Sequence, residues 1–187
     1  MRYAQNVKGY TAPETKAAEE QTRLLMERAE ALGETPEDPL LLFSVLNSFW
    51  LVNLLAFNGD ALRDLSAQFL ALAERQKATG PLMIGHRLMG TSLLLVGEMK
   101  AARAHFDQAI SLYNAAEQRP LATRFGIDHG VFALCHRSWA LWVDGYPAAA
   151  ITDANRALKA RARPTTPPRW GLRCLSVHSL KSSVEIT

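Results

Sequence analysis

One spacing occurs twice in this chain and narrows what the chain can fold into. Gly97 is followed by Ala102, Phe106 and Ala109, at offsets of 5, 9 and 12, and Gly145 is followed by Ala150, Ala154 and Ala157 at the same offsets. Steps of four and three stay on one face of an α-helix, so each set is an apolar stripe placed just past a turn glycine. A weaker copy counts from Asp60 to Leu65, Phe69 and Leu72. Upstream, Gly90 stands 12 residues before Ala102, with Met89 and Leu93 around it. Small residues at both places let two helix backbones come close, and Phe106 then fills the groove against the next unit. A single helix pair cannot bury its own apolar face, so pairs of this kind stack.

The remaining periodicity is helical as well. "APETKAAEEQTRLLMERAEAL" places Leu24, Leu25, Ala29 and Leu32 on one stripe. Thr11 and Glu14 stand at capping-box spacing there, and Gly33 is the stop signal. Asp38 and Pro39 then open an apolar helix running to about Phe57. "NGD" breaks it, and Asp60 is the expected N-cap of the helix "ALRDLSAQFLALAERQKAT". Further helices are expected from about Pro81 to Val96, Glu98 to Glu117, Val131 to Asp144 and Pro147 to Arg161. A polar linker, "QRPLATRFGIDHG", separates the second of these from the third. No run alternates with period two long enough for a sheet, and short turns between helices make antiparallel neighbours, so the fold class is all-α.

Leu40 to Phe57 runs 18 residues without a charge, close to the shortest span of a bilayer. Ser44, Asn47, Ser48 and Asn53 interrupt it and no basic cluster flanks it, which favours a buried helix over a membrane span. Ser44, Asn47 and Ser48 share a face, suiting a helix buried on its other sides. Two cysteines, Cys135 and Cys174, are too few for a disulfide framework and fit a reducing, cytoplasmic setting. The first residues, "MRYAQNVKGYTAPET", carry no apolar targeting segment. The formal charge of +3 belongs to the C-terminal end. From Arg161 onward five basic residues meet one acid, while residues 1–160 carry 16 basic and 17 acidic side chains. The body therefore has no electrostatic footprint for nucleic acid.

The spacing of Gly90, Ala102, Phe106 and Ala109 resembles a tetratricopeptide repeat: a small residue in the first helix, then alanine, an aromatic and alanine along the second. The resemblance implies an α-α superhelix of about three to four helix pairs over residues 1–160. Several features depart from the pattern. His86 replaces an aromatic residue, Ser138 a glycine, and Asn114 stands near where a proline often ends the second helix. Leu65 to Ala102 is 37 residues and Ala102 to Ala150 is 48, against about 34 in the standard unit. Three segments, "KGYTAPETKAAEEQTRLLMERAEALGET", "GHRLMGTSLLLVGEMKAARAHFDQAISLY" and "RFGIDHGVFALCHRSWALWVDGYPAAAITDANRAL", also resemble the repeat region of large bacterial signalling proteins. In those proteins a class III adenylate/guanylate cyclase domain, or a DNA-binding effector domain, precedes an AAA-type ATPase module, and the repeats follow. Gly9–Thr15 and Gly126–Gly130 are the more particular marks. The resemblance implies a detached or truncated regulatory region that binds a protein, a peptide or neighbouring domains, not nucleic acid. Two alternatives follow from it: a piece of a nucleotidyl cyclase, or a regulatory region of an ATPase-linked transcriptional regulator.

The catalytic residues of that family have no counterpart here, for the chain contains no G-x-x-x-x-G-K-[S/T] loop and no cyclase-like metal-binding aspartates. No catalytic, cofactor or metal residue is assigned. Cys135 and His136 are adjacent and diverge on a helix, and with Cys174 and His178 they make no standard ligand spacing. Asp128–His129 reads as a loop or helix cap, Trp139 and Trp142 as interhelix packing, and Glu19, Glu20, Arg23 and Arg28 as a solvated face. After Arg161, Pro164, Pro167 and Pro168 end the periodicity, so residues 161–187 are expected to be an irregular, disordered basic tail. An array that stops there without a capping helix would leave apolar surface for self-association.

Overall fold

The computed structural model describes residues 38–161 and, upstream, Ala17, Glu20 and Leu24. Those three are helical and exposed, so Leu24 is not on a buried stripe. The capping box at Thr11 and Glu14, the stop at Gly33, Gly9–Thr15 and the tail beyond Arg161 lie outside the described residues. The described residues form seven helices and no strand. They are α1 (Leu41–Leu55), α2 (Gly59–Arg75), α3 (Thr79–Leu95), α4 (Met99–Ser111), α5 (Ala115–Phe125), α6 (His129–Val143) and α7 (Pro147–Arg161). None is long and apolar enough to cross a membrane. Contacts divide the chain after Phe69 into two units, and each is taken by itself.

In the first unit α1 starts later than expected: its N-cap is Leu40, not Asp38, and it has no side-chain cap, while the Asp38 carboxylate accepts from the Leu40 N–H at 2.9 Å in the turn before the helix. The polar face of α1 departs from expectation. Asn47 and Ser48 are buried beside Phe43, Leu46 and Trp50 instead of facing solvent. The serines tolerate this because each hydroxyl donates back along its own helix, Ser44 to the Leu40 carbonyl and Ser48 to that of Ser44, both at 2.9 Å. The cap of α2 also moves. Asn58 accepts from the Ala61 N–H at 3.4 Å, while Asp60 lies inside the first turn and pairs with Arg63 at 2.8 Å.

That correction resets the register of the weak copy. The chain turns with positive φ at Phe57 (54°), Gly97 (87°) and Gly145 (84°). Counted from Phe57, offsets 5, 9 and 12 reach Leu62, Ser66 and Phe69, all fully buried. Leu65 and Leu72 are only partly buried, so the copy counted from Asp60 is three residues out of phase. The matching stripes after Gly97 and Gly145 are buried throughout.

Twelve residues before each stripe, Trp50, Gly90 and Ser138 occupy equivalent places, opposite Ser66, Phe106 and Ala154 in the register. In the first two pairs bulk on one helix goes with its absence on the other, and in the third both residues are small. At Gly90 the reason is direct, since a β-carbon there would stand 2.7 Å from Phe106 Cε1. Phe43 and Phe69 join α1 to α2 with ring centroids 5.0 Å apart.

In the second unit α3 packs on α4, α6 packs on α7, and α6 also packs against both α3 and α4. The Phe106 ring lies over Gly90 within its own pair and stacks on His136 of the next, centroids 6.1 Å apart and planes 12° off parallel. The linker is a finding against expectation. α4 ends at Ser111 instead of Glu117, and the end of that expected helix together with residues 118–125 of the supposed linker forms α5. Asn114 caps α5 by accepting from the Ala116 N–H, and Gly126 stops it at φ 81°. Pro120, the sixth residue, forfeits one backbone bond that these two ends outweigh.

Candidate functional site

The segment "RFGIDHG" joins α5 to α6, and Gly126, Asp128, His129 and Gly130 each have an identifiable task. Gly126 supplies the left-handed end of α5. Asp128 starts α6, its Oδ1 accepting from the N–H groups of Gly130 at 2.9 Å and Val131 at 3.1 Å. Its other oxygen accepts from the Tyr113 hydroxyl at 3.0 Å. The Tyr113 ring then lies against Gly130, where a β-carbon would collide with the ring. Asp128 is thus a helix cap, as its setting suggests.

His129 is not in a loop but opens α6 and is 1% exposed. Its Nδ1 lies 3.1 Å from Arg87 Nε and 2.8 Å from Nη2. Arginine has no acceptor, so this nitrogen is unprotonated and the neutral ring carries its proton on Nε2. Arg87 on α3 is itself 2% exposed, and burial pulls its guanidinium down to about 9, still charged at neutral pH. Phe125 closes the other side, edge-on to His129 at 5.5 Å, while α5 packs against α3. Nothing in the sequence marks this pair, whose members are 42 residues apart.

His136 has aromatic neighbours on three sides: Phe106, Phe132 at 5.8 Å and Trp139 at 5.3 Å. Burial first, then the Arg87 charge, holds it down to about 4, against a hydrogen bond to the Phe132 carbonyl that raises it. The unfolded chain would therefore take up this proton first, near pH 6.5. Stability is complete above that pH and falls as pH drops towards 4, then levels off. Because the residue is not wholly enclosed, the expected loss is about 2–3 kcal/mol. Urea titrations at a series of pH values, compared with His136→Phe, measure it; an unchanged slope in the variant removes His136 as the cause.

A second histidine pair crosses from α3 to α4, His86 Nδ1 facing His105 Nδ1 at 3.0 Å. Both rings are partly buried. His86 is lowered by burial and then by His105, with Glu74 pulling the other way, and His105 is lowered by burial.

The other candidates stay apart. Cys135 is buried in an apolar cluster with Leu134, Ala154 and Ala157, and Trp142 packs against that cluster. Trp139 is 38% exposed, so only its inner edge is packing. Cys174, His178, Glu19, Arg23 and Arg28 lie outside the described residues; Glu20 is exposed. Among the described residues no three of His, Cys, Asp and Glu gather as a metal site. A groove of about 440 Å³ lies between α4, α6 and α7, lined by Ile110, Tyr113, Val131 and Leu134 with Arg156 and Lys159. No family model, curated protein or solved structure matches the chain.

Proposed function

We propose that the chain is a non-catalytic protein-interaction module of tetratricopeptide-like helix pairs, related to the repeat region of bacterial cyclase or ATPase signalling proteins. The observation that carries this reading is what α3 and α6, which pack on each other, leave exposed. Each helix has one arginine and no other lysine, arginine or carboxylate. Arg87 is buried and Arg137 is held by Asp107 and Asp153. What α3 and α6 expose instead is Leu95, Trp139 and Val143, with Val96 following α3. Leu95 and Val143 stand two residues before their turns, as Leu55 does before Phe57, and the three are 44%, 65% and 48% exposed. The exposed apolar ends of α3 and α6 offer a surface for a partner, a peptide or a neighbouring domain with an apolar face.

Binding by such a face is insensitive to salt. The test is a displayed library of amphipathic and extended peptides panned against the purified chain. Selected binders should weaken roughly tenfold or more with Val143→Glu, an exposed site where fold stability should barely change. Binding indifferent to that substitution sinks the reading. Cyclic-nucleotide synthesis or ATP hydrolysis by the purified chain would sink its non-catalytic part.

A further inference from the structure

We propose that His86 and His105 form a two-histidine site for a tetragonal divalent transition-metal ion, Cu(II) foremost, that clips α3 to α4. The geometry admits such an ion. The two Nδ1 atoms are 3.0 Å apart. Once the rings turn so that both lone pairs converge, metal–imidazole bonds of about 2.0–2.1 Å spanning that separation meet at roughly 91–97°, close to the angle of adjacent ligands in a tetragonal sphere, the geometry of Cu(II) and Ni(II). A tetrahedral zinc site would hold them roughly 3.3 Å apart.

The rings are also in the right place. Both are partly buried, each on a helix of the same pair, so the ligands are held by packing. In the metal-free pair one Nδ1 carries the proton of the N–H···N contact. On coordination that proton passes through solvent to Nε2 of the same ring. Both rings then bind through Nδ1 with no net change in protonation, and water completes the sphere.

The experiment is titration of the purified full chain with Cu(II), read by electron paramagnetic resonance and by the melting temperature. One equivalent should bind with two imidazole nitrogens on the copper and raise the melting temperature. Either His86→Ala or His105→Ala should weaken binding by roughly tenfold or more, while His178→Ala leaves it unchanged. His105→Gln, which retains a polar side chain, repeats the test should the alanine variants fold poorly. The proposal is overturned by a spectrum with fewer than two nitrogens, by a thiolate charge-transfer band, or by equal affinity in the wild type and His105→Gln.

Discussion

Replacing Arg137 with alanine is expected to lower the unfolding free energy by about 3–5 kcal/mol, the scale for removing one partner of a buried ion pair. Arg137 on α6 grips Asp153 of α7 with two bonds, Nε to Oδ2 at 2.6 Å and Nη2 to Oδ1 at 2.8 Å. Its Nη1 reaches Asp107 of α4 at 2.6 Å. One guanidinium thus ties the two helices of one pair to each other and to the preceding pair. The Asp153 side chain is only 4% exposed, so losing its partner strands a carboxylate out of water. Arg156, 3.4 Å away, recovers part of the loss and sets the lower end of the range. Asp107, more than half exposed, adds little. Equilibrium urea unfolding of Arg137→Ala, Asp153→Asn and Arg137→Met with Asp153→Leu separates these contributions. The double substitution should restore most of the stability, because an apolar pair avoids the desolvation cost. A loss of less than about 1 kcal/mol in Arg137→Ala would place the pair among ordinary surface ion pairs.

How much of this is legible in sequence depends on whether the signal is local. The positions of α6 and α7, the close approach at Gly90 and the capping role of Asp128 all follow from spacing and residue type within a turn or two. The first pair was misphased because Phe57 and Lys77 adopt positive φ without being glycine, so the usual turn marker is missing. α5 was hidden by Pro120, whose penalty as a helix breaker is real but limited to one bond. Ser48 reads as solvent-facing because a hydroxyl bond to a helix's own carbonyl leaves no trace in composition, and the burial of Asn47 beside it has no signal in the sequence either. The Arg87–His129, His86–His105 and Arg137–Asp153 pairs are contacts between helices 16 to 42 residues apart, beyond any local pattern. The sequence therefore shows where the helices meet more readily than which polar groups meet there.

The second large effect is expected at Phe106. Phe106→Ala should cost about 3–5 kcal/mol, because the ring is fully buried and its removal leaves a void that the helices cannot collapse into. That void would open two contacts at once, the one over Gly90 on α3 and the stack on His136 of α6. The trade of bulk between equivalent positions makes the claim stricter. Trp50 and Ser66, both fully buried, occupy the same register in the first pair with large and small exchanged. Gly90→Val alone should destabilise by overpacking, on the order of 1–3 kcal/mol, since its first carbon already meets the ring at 2.7 Å. In the background of Phe106→Ala the same Gly90→Val should stabilise, by on the order of 1 kcal/mol or more, because the added methyls enter the void. The sign reversal is the measurement: thermal and urea unfolding of both singles and the double, analysed as a cycle. Additive losses would mean that Gly90 and Phe106 do not share one space, and the register linking the helix pairs would lose its physical basis.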